Sequence, residues 1–189
     1  MRVDVPLAKA YLLLNHGPVT LVSSRAGERS NLMAASWAMP LDFDPPKVAV
    51  VIDRSTLTRE LVDASREFAL NIPSRALADA TLGLGSISGR SRDKWADFRL
   101  TAMPADRIGV PLVSECIAWL ECRLLDERDV EQRHDLFVAE VVAASADDRV
   151  FSGGRWNFDD IALRTIHYVA GGQFFAIGEP VVGRPPDKG

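Results

Sequence analysis

The chain has 189 residues, of which 47% are hydrophobic and 25% are charged, and its formal net charge is −4. This balance is typical of a globular protein and excludes disordered, collagen-like and coiled-coil chains. Charges of both signs are interspersed, so we expect neither nucleic acid nor a membrane surface as a partner. The apolar runs are too short to span a bilayer and the N-terminal residues lack the apolar core of a signal peptide, so we expect a cytoplasmic protein.

The sequence predicts a single domain over residues 1–180, because no Pro/Gly/Ser-rich linker divides it. Residues 181–189 are rich in proline, glycine and charge, which predicts a flexible tail.

Most of the predicted elements are strands, because runs of β-branched and aromatic residues alternate with turn residues. The predicted strands cover residues 19–24, 32–39, 47–53, 67–73, 112–125, 136–144 and 174–180. Shorter helical patterns cover residues 55–67, 75–85 and 91–98. Within the run from Cys116 to Leu124 both faces carry large side chains, so we expect barrel closure or a partner subunit to cover the second face.

Several enzyme classes are excluded by missing motifs. The three histidines are scattered and neither cysteine lies near one, so no metal site is predicted. Cys116 and Cys122 would lie about 20 Å apart on one straight strand, too far for a disulfide. The glycines of residues 83–89 have the wrong spacing for a dinucleotide fingerprint, and there is no P-loop or nucleophile elbow.

Two segments have the residue types that bind a phosphate group. Ser55, Thr56 and Thr58 stand where a strand gives way to a helix, whose free N–H groups favour an anion. Residues 88–94 add hydroxyls and positive charge, from Ser88 to Lys94. The alternative interpretations are helix capping for the first segment and a solvated loop for the second.

A third segment, residues 31–37, is unusually poor in bulky side chains for a barrel strand. Asn31, Ala34 and Ser36 would let a flat ligand approach the backbone, although a crowded contact between strands would select the same residues.

In this order and spacing, these segments resemble the flavin reductase domain family, an FMN-binding split barrel, and within it the flavoredoxin-like branch. The resemblance is carried by residues 31–37, 44–46, 55–58, 67–74, 88–95, 110–122 and 134–141. It implies a mainly β fold, an antiparallel split β-barrel with a few short peripheral helices. It also implies a homodimer with the flavin ring of FMN near the subunit boundary.

The resemblance further implies roles for individual residues. The strand with Asn31, Met33, Ala34, Ser36 and Trp37 would face the ring. The phosphate would be held by Ser55, Thr56, Thr58, Ser88, Arg92 and Lys94, and the ribityl or phosphate region by Asn71. His134 would lie near the nicotinamide or flavin face, as the catalytic candidate.

The predicted function is hydride transfer from NADH or NADPH to bound FMN, followed by transfer of electrons to a small-molecule or protein acceptor. Such a reaction requires no side-chain acid or base and no separate NAD domain. One alternative is a flavoredoxin-like FMN electron carrier without NAD(P)H activity. Another is a dimeric module that binds haem or another ligand in place of flavin.

Overall fold

The structure, a computed structural model, describes residues 1–186; residues 187–189 of the predicted tail lie outside the described part. The strands are β1 (Arg2–Asp4), β2 (Thr20–Ala26), β3 (Arg29–Ala35), β4 (Ala38–Phe43), β5 (Pro46–Val51), β6 (Glu67–Ile72), β7 (Ala102–Met103), β8 (Leu112–Val113), β9 (Ala118–Leu124), β10 (Leu136–Asp147), β11 (Phe151–Ser152), β12 (Arg155–Trp156), β13 (Ile166–Ala170) and β14 (Gln173–Ala176). The helices are α1 (Leu57–Ser65), α2 (Ala78–Ser86), α3 (Lys94–Asp97) and α4 (Arg128–His134), with 3-10 turns at Leu7–Leu13, Arg75–Leu77 and Ile161–Leu163.

One antiparallel sheet organises the molecule. Its strand order is β3-β2-β6-β9-β10-β5-β4, and β1 pairs with β10 as the eighth strand. The two edge strands, β3 and β4, follow each other directly in the chain, so the curved sheet is split between them. The mainly antiparallel β fold with short peripheral helices confirms the fold prediction.

The core fills both faces of this sheet. Phe68, Leu70 and Phe137 are fully buried on the inner face. On the outer face Trp119 is 4% exposed and its indole N–H donates to Val113 O at 2.8 Å. Trp119 on the second face of β9 is therefore covered by residues 100–113 of the same chain, a cover different from the barrel closure or partner subunit expected from the sequence.

Two predicted strands are each divided in the structure. The prediction over 32–39 breaks between β3 and β4, where the Trp37 carbonyl accepts a bond from Val51 N at 3.0 Å. The prediction over 112–125 breaks between β8 and β9, where the Cys116 N–H bonds back to Val113 O in a turn. Both breaks turn the chain at the rim of the barrel.

One α-helix, α4, was not predicted from the sequence. α4 lies in the charged segment between the two longest strands, where no apolar stripe marks it. Its anchor is Glu131, which is 1% exposed and receives two hydrogen bonds from the Arg66 guanidinium, at 2.8 and 3.0 Å. A buried ion pair takes the place that an apolar contact would occupy.

The remaining sequence expectations concern termini and cysteines. Cys116 and Cys122 are buried and free. Residues 181–186 are exposed and have no regular secondary structure. Within residues 1–186, no helix has the length and apolar character needed to cross a membrane.

Candidate functional site

A polar cavity of about 320 Å³ lies at the free edge of β3. We call it the polar cavity, and its lining comes from β3, the start of α1, the end of α2 and the loop before α3. The lining residues are Asn31, Met33, Ser55, Thr56, Leu57, Thr58, Leu84, Gly85, Ser86, Ile87, Ser88, Gly89 and Lys94. Seven of the residues predicted from the sequence are thus brought together.

The start of α1 supplies hydroxyls and N–H groups to this cavity. Thr56 is the N-cap, and its Oγ1 accepts a bond from Arg59 N at 3.1 Å. Ser55 donates both its N–H and its hydroxyl to the Asp53 carboxylate, at 2.8 and 2.6 Å, which lowers the pKa of Asp53. An anion at this helix end would therefore compete with Asp53 for Ser55, while the first N–H groups of the helix stay free of intrahelical partners.

Asn31 and Thr58 form a buried pair in the cavity wall. Asn31 is 4% exposed and its Nδ2 donates to Thr58 Oγ1 at 2.9 Å. Because the Thr58 oxygen accepts this bond, its own hydroxyl proton is free to be donated to a ligand. Gly89 packs so closely on Asn31 that a Cβ at this position would collide with Asn31 Oδ1. Only glycine keeps this part of the cavity open.

Lys94 places a positive charge at the same point. The residue is 5% exposed, and its Nζ donates to Leu32 O at 2.9 Å and to Leu84 O at 2.7 Å. The lysine therefore ties β3 to α2 and keeps one N–H donor in reserve. Burial lowers the pKa of Lys94 to about 8. A ligand with negative charge would stabilise the charged ammonium.

A second cavity of about 220 Å³ adjoins the first. We call it the aromatic cavity, because the hairpin of β13 and β14 covers it with two aromatic rings. Its lining residues are Val19, Ala34, Ser36, Thr81, Leu82, Gly85, Ser86, Tyr168 and Phe174. Gly85 and Ser86 line both cavities, so the two spaces meet at the end of α2.

Four residues of the aromatic cavity were not predicted from the sequence as site residues: Thr81, Leu82, Tyr168 and Phe174. The two aromatic residues stand on either side of Gly171 and Gly172, which have φ of 58° and 84°. This glycine pair marks a hairpin turn, and it is the sequence signal that could have placed both rings on one element.

Four of the predicted site residues lie elsewhere. Asn71 is fully buried, its Nδ2 donates to Leu21 O and its Oδ1 accepts from Val113 N, both at 2.8 Å. Its amide therefore holds the strands together, and the predicted ligand contact of Asn71 stays a prediction. Arg92 is exposed and pairs with Asp97 at 2.8 Å, because the loop turns its guanidinium away from the polar cavity. Trp37 and His134 line neither cavity.

His134 is the exposed last residue of α4. The next residue, Asp135, has a φ of 54° and accepts a bond from Arg59 Nη1 at 3.0 Å. The structure thus shows a helix end held by an ion pair, with the imidazole in solvent. The role of His134 stays a prediction.

The other edge of the split carries an exposed apolar surface. Trp37, Met39 and Leu41 are 73%, 52% and 47% exposed. They border an almost wholly apolar groove of about 410 Å³, together with Val51 and Leu136 of the neighbouring strands. The full groove lining, which we call the apolar face, is Trp37, Ala38, Met39, Leu41, Ala49, Val51, Leu136 and Val138.

Comparison with known proteins identifies the family. The model of the flavin reductase like domain matches residues 13–167. The chain belongs to this family. A solved flavin reductase-like enzyme of Shewanella baltica, described as an FMN-binding domain, superposes with a TM-score of 0.95 at 42% identity, over 97% of this chain and 98% of that one.

Other members of the family are more distant or have no assigned activity. The uncharacterized protein YddH of Escherichia coli is 43% identical over 95% of this chain and 96% of its own length. Flavoredoxin of Desulfovibrio vulgaris superposes with a TM-score of 0.78 at 26% identity, covering 88% of this chain and 90% of that one. An NADPH-flavin oxidoreductase of Streptomyces viridifaciens is 30% identical over 66% of this chain and 63% of its own length.

Proposed function

We propose that this protein binds FMN without a covalent bond, with the phosphate in the polar cavity and the ring along the edge of β3 into the aromatic cavity. The observation that carries the proposal is that the two cavities meet at Gly85 and Ser86. A polar space that suits an anion therefore continues into a space with aromatic walls. The FMN-binding description of the Shewanella baltica enzyme supports the same cofactor.

The residues of the polar cavity fit a phosphate group. Lys94 supplies a buried charge, Thr58 a free hydroxyl proton, and the first turn of α1 its N–H groups. Ser88 adds a hydroxyl from the opposite wall, and Gly89 keeps the space beside Asn31 open. Each charge-assisted contact to the phosphate contributes roughly 1.5–3 kcal/mol.

The aromatic cavity fits a flat heteroaromatic ring. Ala34 and Gly85 present little side-chain bulk where β3 meets α2, so a ring can approach the strand backbone closely. Tyr168 and Phe174 provide the apolar wall on the hairpin side. Together they would exclude water from one side of the ring and leave the other side open.

We propose further that the protein is an NAD(P)H-dependent flavin or acceptor oxidoreductase. FMN held in the two cavities would supply the redox chemistry that links NADH or NADPH, as hydride donor, to a small-molecule or protein acceptor. The work of the chain is then to hold and orient the reactants, and its backbone N–H groups near Ala34 and Ser36 would stabilise negative charge on the ring. His134 would assist from the nicotinamide side.

We also propose that the working form is a homodimer. The apolar face leaves Trp37, Met39 and Leu41 in solvent, although they sit directly after the strand that borders both cavities. Exposed apolar surface of this kind marks an interaction site. A second copy of the same face would bury it and bring the flavin ring close to the subunit boundary.

The rival function is an FMN electron carrier that accepts electrons only from another protein. The 26% identity with flavoredoxin favours this alternative as much as the 30% identity with the NADPH-flavin oxidoreductase favours the reductase. The two functions share the same cavities and differ in the electron donor.

The first experiment is the visible absorption spectrum of the purified protein, followed by chromatography of any chromophore released on denaturation. A yellow protein that releases FMN, or a colourless one that binds added FMN, supports the proposal. A protein that does neither overturns it.

The second experiment separates reductase from carrier. NADH and NADPH oxidation is followed in the presence of free flavin, ferric complexes or oxygen. Turnover at a rate well above that of free flavin supports the reductase. A bound flavin that neither nucleotide reduces, but that a protein donor does reduce, supports the carrier.

A further inference from the structure

One hydroxyl in the aromatic cavity is buried without any hydrogen-bond partner. Thr81 is 1% exposed, and its Oγ1 makes no hydrogen bond within residues 1–186. It lines the cavity from the middle of α2, beneath the aromatic hairpin. A buried hydroxyl without a hydrogen-bond partner lowers the free energy of unfolding, so its presence here needs an explanation.

The usual partner of such a hydroxyl is the carbonyl one turn earlier in the same helix. Two other hydroxyls of this protein form that bond: Ser86 Oγ donates to Leu82 O at 2.7 Å, and Ser65 Oγ donates to Leu61 O at 2.9 Å. Thr81 does not form it, although it lies in the same helix as Ser86. Its hydroxyl therefore keeps an unused donor in a residue that lines the cavity.

The lining of the cavity has two kinds of surface. Hydroxyls come from Ser36, Thr81, Ser86 and Tyr168, whereas Leu82, Phe174 and the Tyr168 ring supply apolar surface. The isoalloxazine ring has the same division, since its pyrimidine edge carries carbonyl oxygens and its benzenoid edge is apolar. A carbonyl oxygen is the acceptor that Thr81 lacks.

We propose that Thr81 is a positioning residue for the flavin ring, donating a hydrogen bond from Oγ1 to a carbonyl oxygen of the pyrimidine edge. This inference rests on the proposed function. The bond forms only when flavin is bound, so it adds to affinity and not to the stability of the protein without flavin. Reduction places negative charge on the same edge of the ring, so the bond is stronger with reduced flavin.

The decisive variant is Thr81→Val, which keeps the shape of the side chain and removes the hydroxyl. We expect the flavin-free protein to unfold at the same temperature or higher, because an unpaired buried group is lost. We expect FMN affinity to fall by about tenfold. The reduction potential of bound flavin should become more negative, and Thr81→Ser should restore both properties.

A matched control is Thr165→Val. Thr165 is also fully buried, but its Oγ1 is 2.9 Å from His16 Nε2 and it lines neither cavity. The same substitution there should lower the unfolding temperature of the flavin-free protein and leave the reduction potential of bound flavin unchanged. Comparison of Thr81→Val with Thr165→Val thus distinguishes a hydroxyl that binds the ligand from one that stabilises the fold.

Three results would overturn the assignment. If Thr81→Val binds FMN with unchanged affinity and potential, the ring does not contact Thr81, and the proposed function stands without it. If Thr81→Val lowers the unfolding temperature of the flavin-free protein, the hydroxyl has a structural partner. If the unaltered protein does not bind FMN, the assignment and the proposed function fall together.

Discussion

The two edges of the sheet, β3 and β4, are separated in the chain only by Ser36 and Trp37, yet their surroundings are opposite. The chain covers β3 with α1, α2 and α3, and polar side chains such as Lys94 and Asn31 are buried and paired there. Beside β4, apolar side chains stay in solvent. One side of the split is therefore built as a ligand site by the chain itself, and the other is left for a second molecule.

The difference has a physical basis in the kind of group that each edge strand leaves without a partner. On β3 the edge leaves backbone N–H and carbonyl groups without a strand partner, and Lys94 pairs with one of the carbonyls, at Leu32. On β4 the unmet groups are apolar side chains, which only another apolar surface can cover. Backbone polar groups without a partner favour a charged or hydroxylated ligand. Exposed apolar side chains favour a protein partner. Substitutions at each edge can therefore test the ligand site at β3 and the protein contact at β4 separately.

The largest effect is expected at the open edge. Met39→Asp combined with Leu41→Asp places two charges in the apolar face, so we expect the association constant of the dimer to fall by at least about a hundredfold. Sedimentation velocity over a range of concentrations measures this directly. Ile161→Asp is the control, since Ile161 is 55% exposed but lies outside the apolar face. A wild-type protein that is monomeric at all concentrations would contradict the homodimer.

The covered edge is tested through Lys94. Lys94→Met removes the charge from the polar cavity, and we expect FMN affinity to fall about 10- to 100-fold. Riboflavin lacks the phosphate, so its affinity for the variant should fall much less. The ratio of the FMN and riboflavin dissociation constants therefore separates the loss of the phosphate contact from any loosening of the contact between β3 and α2. Fluorescence titration of flavin measures both.

Arg92→Met serves as the matched control for Lys94. Its guanidinium pairs with Asp97 at 2.8 Å outside the cavity, so FMN affinity should change by less than about twofold. An equal loss in both variants would show that the loop moves to bring Arg92 to the phosphate, as the sequence predicted.

A further prediction concerns the pH dependence of folding stability at His16. His16 packs against Trp156 and His167 and meets Thr165, just before β13, at 2.9 Å. Burial, and then the charge of His167, lower the pKa of His16 to about 4. In the unfolded chain a histidine binds its proton near pH 6.5, so stability should be lost as pH falls from about 6.5 to 4.

The loss of stability should reach up to about 3 kcal/mol, and His16→Gln, which does not titrate, should remove this part of the pH dependence. Urea unfolding at several pH values measures it. Identical pH profiles for wild type and His16→Gln would show that His16 is not the titrating group.

The strands were predictable from the sequence because alternation with a period of two is a local signal. The break between β3 and β4 was not, since residues 32–39 contain no glycine or proline and only closure of the barrel turns the chain at Ser36 and Trp37. α4 was not predicted because it has no local apolar pattern. Its anchor is the ion pair of Glu131 with Arg66, a partner 65 residues away that no local pattern reveals.

The site was predictable where function and local structure coincide. Thr58 and Lys94 stand in segments whose composition suits a phosphate, and the structure places both at the polar cavity. Asn71 has equally suitable chemistry, but its amide is used by Leu21 and Val113, which lie far away in sequence. The type of a residue indicates what it can bind, and only the fold decides whether its polar atoms are already used.

The smallest effect is expected for His134, at the end of α4 and two residues before Leu136 of the apolar face. An exposed imidazole that contacts a transiently bound nicotinamide contributes about one hydrogen bond, so His134→Asn should lower kcat/KM for NADH or NADPH by up to about tenfold. FMN affinity should not change, because His134 lines neither cavity. Arg133→Asn, at the adjacent exposed position, is the control. Equal kcat/KM values in wild type and His134→Asn would show that His134 has a structural role only. The nicotinamide would then be expected to contact the aromatic hairpin beside β3 instead.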